Sequence, residues 1–364
     1  MSQGVSAADG KSAASLDGLR KLIEDDERPE DLPFSLICLD MDGTILDNDH
    51  KVSKVTANTL QMLSASGITI CIATGRSYTS VLEYLQTYLG GLAQPFVPVI
   101  AFNGSVCVLV STSSWDITHT VFRDYIDAES LGPLLKLCND RSSGHTDDVV
   151  VIQYYDGNTG QVNVAKSVAQ TDVEKDLLKR YADLTGKQQT LVESYESIAQ
   201  PPVKCLALCN DVDRLIARAA AELQPGAFHV IRGSPYPFFV EFLRPGANKG
   251  SAVEKLVAYL SKLEAEKRGG KHDDSGSGSG SGVGGGNNAT ASPDTAATAS
   301  KVYSLECTIA FGDGENDAEM LATVGYGVAM LNGRPAAKEA AKAVTALTND
   351  EDGVALYLNE IFFV

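Results

Sequence analysis

The chain carries little positive charge. It sets 30 Lys and Arg against 47 Asp and Glu, a net −17 over 364 residues. Such an excess repels nucleic acid and anionic membrane surfaces, so neither is expected as a partner. It does not exclude a small anionic substrate, because one local cation reverses the field in a cleft. Long apolar runs are also missing, and none nears the roughly 20 residues of a membrane span. The opening stretch MSQGVSAADGKSAAS has neither the basic start nor the apolar core of a secretory signal. A cytoplasmic location is the expectation. The seven cysteines are scattered, odd in number and without a CxxC. They are expected to be reduced core residues. The five histidines show no metal-ligand spacing, so no histidine metal site is expected.

What is present is an alternation of strand and helix signals. Residues 1–33 are polar and small and read as a disordered tail, with a short helix near Leu16–Glu24. From Phe34 the pattern changes. SLICL is a short continuous apolar run, as a strand buried on both faces should be. A helix follows, with Ser53 as N-cap and Gly67 beyond its end. Then come ITICIA, a helix over Ser77–Tyr88, and VPVIA. This βαβαβ order predicts a doubly wound, Rossmann-like parallel sheet over residues 34–106, an α/β fold. Residues 107–243 lose the regular alternation. DDVVVIQYY, VKCLALC, AFHVIRGS and PFFVEFL read as strands of an antiparallel sheet, so this stretch is expected to be an inserted α+β domain. A helix over 244–268 returns to the first domain. Residues 269–300 are Gly/Ser-rich and cannot form a core, so they read as a disordered loop. Residues 301–364 complete the first domain with ECTIAF, YGVAM and two short helices.

Four short motifs fall at predicted strand exits: DMDGT, TGR, NG and GDGEND. Ligands of open parallel sheets sit beyond the carboxyl ends of the strands. The topology therefore collects Asp40, Asp42, Thr74, Asn103, Asp313, Asn316 and Asp317 at one edge. Four carboxylates in one cleft repel each other strongly. A hard divalent cation with oxygen ligands resolves the repulsion, and Mg²⁺ is the expected one. Thr74 offers a hydroxyl near a helix N-terminus, a natural phosphate cradle. RPGANKGSAVEKL adds Lys249 just before a helix expected to begin near Ser251. Taken singly, each motif has an ordinary reading. A DxD pair is common on surfaces, an acidic glycine turn can be just a turn, Asn103-Gly104 can be a turn, Arg76 can be helix-terminal, and Lys249 can be a solvated lysine. Their joint occurrence, each at a strand exit or helix start, favours a phosphate site.

The motifs DMDGTILD, TGR, NG, NKG and GDGENDAEML, followed by GVAMLN and VTALTNDEDGVA, resemble those of the haloacid dehalogenase (HAD) superfamily. More narrowly they are similar to the Cof-type phosphatases, which carry a large α+β cap of type IIB. The resemblance runs from about Ser35 to the end, apart from the Gly/Ser segment, and identifies the inserted domain with the cap. It implies that Asp40 is the nucleophile and Asp42 the acid/base. It implies that Asp40, the Asp42 backbone carbonyl and Asp313 hold Mg²⁺. Thr74, Gly75, Lys249, Asn316 and the Met41 backbone would bind the phosphoryl group. Asp317, Asn103 and Asn332 would support the site. Relatives often have Asn-Ala where this chain has Asn332-Gly333-Arg334, which puts that loop's conformation in question. The implied activity is Mg²⁺-dependent hydrolysis of small phosphate monoesters, sugar phosphates or phosphorylated cofactors, through an aspartyl-phosphate. The rivals are a phosphomutase of the same superfamily and, from another class, a non-catalytic phosphate-binding or receiver-like signalling domain. A dehalogenase has no need of Asp42.

Overall fold

The computed structural model describes residues 34–139, 148–155, 162–165, 171–186, 188–195, 198, 200–233, 238–269 and 301–363. The expected N-terminal tail and nearly all of the Gly/Ser loop lie outside these residues. The chain begins β1 (Leu36–Leu39), α1 (Lys54–Ala65), β2 (Thr69–Ala73), α2 (Tyr78–Tyr88), β3 (Phe96–Ala101), β4 (Val106–Ser111) and β5 (Ile117–Arg123). It continues α3 (Ala128–Asn139), β6 (Val150–Tyr154), β7 (Val162–Ala165), α4 (Asp172–Thr185), β8 (Thr190–Val192), β9 (Lys204–Leu208), α5 (Val212–Glu222), β10 (His229–Arg232) and β11 (Phe239–Leu243). It ends α6 (Lys249–Gly269), β12 (Thr308–Gly312), α7 (Ala318–Thr323), β13 (Tyr326–Ala329), α8 (Pro335–Ala340), β14 (Ala343–Val344) and α9 (Gly353–Phe362).

Two sheets result. The first has eight strands in the order β14-β13-β12-β1-β2-β3-β4-β5. It is parallel from β14 to β3 and antiparallel through β4 and β5. Successive side chains of a strand point to opposite faces. Ile37 and Leu39 accordingly pack with Leu60 of α1, Val81 of α2 and Leu358 of α9. Leu36 and Cys38 pack on the other face with Val253 and Leu256 of α6 and Leu321 of α7. That double burial is why β1 reads as an unbroken apolar run. Ser53 caps α1 and Ser77 caps α2, each accepting from an amide of its first turn.

The second sheet has six strands in the order β10-β11-β9-β6-β7-β8. All its pairs are antiparallel except β7–β8. Helices α3 and α5 cover one face through Leu134, Leu137, Val212 and Leu215. The other face, with Tyr154 and Leu206, joins the core cluster that includes Phe102.

The cap begins later than residue 107. Strands β4 and β5 hydrogen-bond onto β3 and belong to the core sheet. Phe102, Asn103 and Gly104 have left-handed φ values of 52°, 53° and 97° and reverse the chain there. β5 is an exposed edge strand, so its sequence lacks the apolar signature of the parallel strands. The chain passes to the cap near Asp124 and returns near Arg244. The long helix starts at Lys249 rather than at 244 or near Ser251. Where α6 ends, Arg268 donates to the Lys301 carbonyl, and Lys301 to Thr69 Oγ1, at the N-terminal end of β2. The two ends of the Gly/Ser segment therefore lie away from the carboxyl ends of the strands. No helix among the described residues is long and apolar enough to cross a membrane.

Candidate active site

Lys249 lies at the centre of the site, fully buried at the start of α6. Its Nζ donates to Asp40 Oδ1 and to Asp317 Oδ1, each at 2.6 Å. Asp40 directly follows β1, and its amide continues the ladder to Phe311 of β12 at 3.0 Å. Its Oδ2 accepts from Thr44 Oγ1 at 3.2 Å. The Met41 carbonyl accepts from the amides of Thr44, Ile45 and Leu46, which closes a tight turn over the buried Met41 side chain. Asp317 has both oxygens engaged. Its Oδ2 accepts from the amides of Asp313 at 3.1 Å and Gly314 at 2.8 Å. Asp317 thereby fixes Lys249 and the Asp313 loop together.

Carboxylate oxygens of Asp40, Asp313 and Asp317 lie within 4.8 Å of one another. Burial and the Asp317 charge push Asp40 well above the ordinary carboxylate range, while Lys249 pulls it down. Burial and Asp317 likewise push Asp313 up to about 7. Burial opposes the charge on Lys249, but Asp317 and Asp40 outweigh it and hold the lysine above its ordinary value. Three carboxylates against one ammonium leave an excess of buried negative charge. The donor set is all oxygen, which suits a hard divalent cation. Lys249 bonds both Asp40 and Asp317, whereas Asp317 alone also accepts from the loop amides of Asp313 and Gly314. The turn above the cluster is built tightly: a Cβ on Gly43, at φ +75°, would fall 2.5 Å from Asp313 Oδ2.

The carboxylate of Asp42 does not join this cluster, as the expectation of four clustered carboxylates required. It faces Arg76, which donates from Nε to Oδ2 at 2.7 Å and from Nη2 to Oδ1 at 2.5 Å. A bidentate guanidinium outcompetes the crowded anionic cluster for this half-exposed side chain. Arg76 also donates to Tyr84 and lies over its ring. Burial works against the Arg76 charge, but the bonds to Asp42 raise it beyond the ordinary arginine value.

Thr74, buried at the exit of β2, accepts from the Arg76 amide at its hydroxyl (3.2 Å) and from the Asn103 amide at its carbonyl (3.0 Å). Gly75 lies against Asn103, whose Oδ1 would be 2.9 Å from a Cβ placed there. Asn316 donates to that same Oδ1 at 2.9 Å. Asn332 lies at the rim. Its Nδ2 donates to the Gly43 carbonyl and its Oδ1 accepts from the Asn349 amide, so it fastens the Asp40–Asp42 turn without meeting any carboxylate of the cluster. The Gly333–Arg334 departure is accommodated: the Arg334 amide donates to the Asp313 carbonyl at 2.8 Å.

A family profile described as haloacid dehalogenase-like hydrolase matches residues 37–266 and 296–358. The chain belongs to the haloacid dehalogenase-like hydrolases. Among curated HAD proteins it is 29% identical over 335 residues to 5-amino-6-(5-phospho-D-ribitylamino)uracil phosphatase YitU of Bacillus subtilis, covering 90% of this chain and 97% of that one. It is 28% identical over 327 residues to phosphatase YwpJ of the same organism, covering 88% and 98%. Among solved HAD structures, the subclass IIB sugar phosphatase BT4131 superposes with a TM-score of 0.63 at 19% identity, covering 91% of this chain and all of that one. That likeness establishes the shared fold. The chain is a HAD-family phosphatase, an enzyme hydrolysing phosphoric monoesters.

Three residues at the site escaped sequence reasoning: Arg76, Lys204 and Glu241. Arg76 stands inside TGR but reads as a helix-end cation. Lys204 and Glu241 lie in cap strands, and the only available signal was a lone charge within an apolar run.

Proposed function

We propose that the protein hydrolyses small phosphate monoesters in a Mg²⁺-dependent, two-step reaction through an aspartyl-phosphate on Asp40. One observation carries this reading. Asp40 is a buried carboxylate at the end of the central strand, held by Lys249 and within 4.8 Å of two further carboxylates. Asp40, Asp313 and the Asp42 carbonyl would hold the cation. When bound, it supplies the charge neutralisation that lets an anionic carboxylate approach an anionic phosphate.

Thr74, the Gly75 and Met41 amides, Lys249 and Asn316 bind the phosphoryl oxygens. Asp40 attacks phosphorus in line as the bond to the leaving oxygen breaks. Asp42 turns off Arg76, takes up a proton from solvent once free of that counter-charge, and gives it to that oxygen. It then takes a proton from the water that attacks the aspartyl-phosphate, which frees phosphate and returns Asp40. The cap excludes bulk water and selects the leaving group.

The test is a screen of phosphate monoesters with Mg²⁺, reading released phosphate. It includes hexose and pentose phosphates, flavin mononucleotide, pyridoxal phosphate and the ribitylaminouracil phosphate for which the Bacillus relative is named. Turnover that stops with chelator and returns with Mg²⁺ supports the reading. Full turnover in excess chelator contradicts it, and transfer to a sugar hydroxyl without free phosphate would favour a mutase.

A further inference from the structure

Lys204 of β9 and Glu241 of β11 are charged residues buried on the core-facing side of the cap sheet. They pair at 2.8 Å. A buried ion pair is a poor stabiliser, since desolvation offsets much of its attraction. Cap stability alone does not explain it. Both residues also reach out of the cap. Lys204 Nζ donates to the Gly75 carbonyl at 3.3 Å, and Glu241 Oε2 accepts from Asn103 Nδ2 at 2.6 Å. The Lys204 ammonium sits 4.7 Å from the Tyr154 ring centroid, which helps to hold a buried cation there.

What the cap grips is the phosphate loop. The Gly75 carbonyl belongs to the peptide whose N–H, that of Arg76, donates to the Thr74 hydroxyl. That engagement leaves the Thr74 proton to donate elsewhere. Ionised Glu241 only accepts, so it fixes which way the Asn103 amide points. Its nitrogen must face the cap. Its oxygen then faces the core and accepts from Asn316 Nδ2. Asn103 sits in the left-handed region, which asparagine enters more readily than other L-residues, and its side-chain amide is held between Glu241 and Asn316.

We propose that Glu241, with Lys204 as its counter-charge, is a positioning residue: seated on the core, the cap orients Asn103 and through it Asn316 on the phosphoryl group. The inference rests on the phosphatase reading above. E241Q keeps the shape but presents a donor to Asn103 or lets it flip. The expected result is a fall in kcat of about 10- to 100-fold with KM within about threefold of wild type. E241Q/N103D exchanges donor and acceptor. The new amide at position 241 then meets a carboxylate oxygen at position 103, and the other oxygen there remains an acceptor for Asn316. The double variant should recover most of the lost kcat, a rescue that a merely structural role gives no reason to expect. Wild-type kcat in E241Q, or no recovery in E241Q/N103D, overturns the proposal. Hydrogen exchange over residues 102–104 reads the same effect without substrate: faster in E241Q, restored in the double variant. A wild type that turns over no monoester fails the phosphatase reading. The exchange pattern then decides this one, and unchanged exchange in E241Q overturns it.

Discussion

The core sheet and the cap sheet deliver functional side chains in different ways. In the core, Asp40, Thr74 and Asp313 sit just beyond the carboxyl ends of β1, β2 and β12, where parallel strands stop and loops begin. Their positions follow from topology, and each is anchored by its own strand. In the cap, Lys204 and Glu241 sit within antiparallel strands and reach the site through a sheet face. Their placement depends on how the whole cap seats against Phe102–Gly104. Core residues should therefore govern whether chemistry occurs, and cap residues how well the site is ordered around it.

The largest effect should come from the core. Asp40→Asn should lower turnover by on the order of 10⁴-fold or more, with the fold intact by circular dichroism. Appreciable turnover in this variant would remove the distinction at its root. Asp42→Asn comes next. It should slow an alkyl phosphate by roughly 10²- to 10⁴-fold. With an aryl phosphate, whose leaving group needs no acid, the second step still lacks its base, so rapid-quench should show a burst of phenol. Equal slowing of both substrates with no burst would mean Asp42 moves no proton.

Lys249→Met tests the buried cation. It leaves Asp40 and Asp317 without their shared counter-charge, and loss of one partner from a buried pair costs roughly 3–5 kcal/mol. Urea unfolding should show a large loss of stability, and Mg²⁺ should recover part of it. A smaller effect concerns pH. Burial and Asp317 raise Asp313 from 3.8 to about 7 in the folded chain. Below the unfolded value both states are protonated and nothing differs. As pH rises toward 7 the unfolded chain ionises first, so folding loses stability across that window. A cation replaces the proton, so Mg²⁺ should raise the melting temperature more at about pH 8 than at about pH 5. An equal shift at both would place the metal away from Asp313.

Two glycines give the finest comparison. A Cβ on Gly104 would fall 2.2 Å from the Asn248 carbonyl, and one on Gly226, in the cap, would meet open space; both have positive φ. Gly226→Ala should cost about 1 kcal/mol from backbone strain alone. Gly104→Ala should cost more and also lower turnover, because it displaces the start of α6 and with it Lys249. Equal costs would show that the reversal at 102–104 is not the joint described above.

The same contrast explains what was legible in the sequence. Strand exits carry local signatures: an apolar run, then DMDGT, TGR or GDGEND. Together with NKG at a helix start, they allowed the Asp40–Lys249–Asp313–Asp317 constellation to be assembled. The edge strand β5 could not be placed, because half-exposed ITHTVFR lacks a parallel-core pattern. The Arg76–Asp42 pair is a matter of side-chain direction, which spacing does not specify. Lys204 and Glu241 carry no motif, since their role arises only where two sheets meet.

The central claim is that Asp40 carries the phosphoryl group. Mixing the Asp42→Asn variant with Mg²⁺ and an aryl phosphate, quenching in acid and mapping the peptides by mass tests it most directly. The account predicts one phosphoryl group on Asp40, absent when Asp40 is also changed to Asn. Phosphate release with no phosphoryl group on Asp40, or a phosphoryl group on another residue, would contradict it.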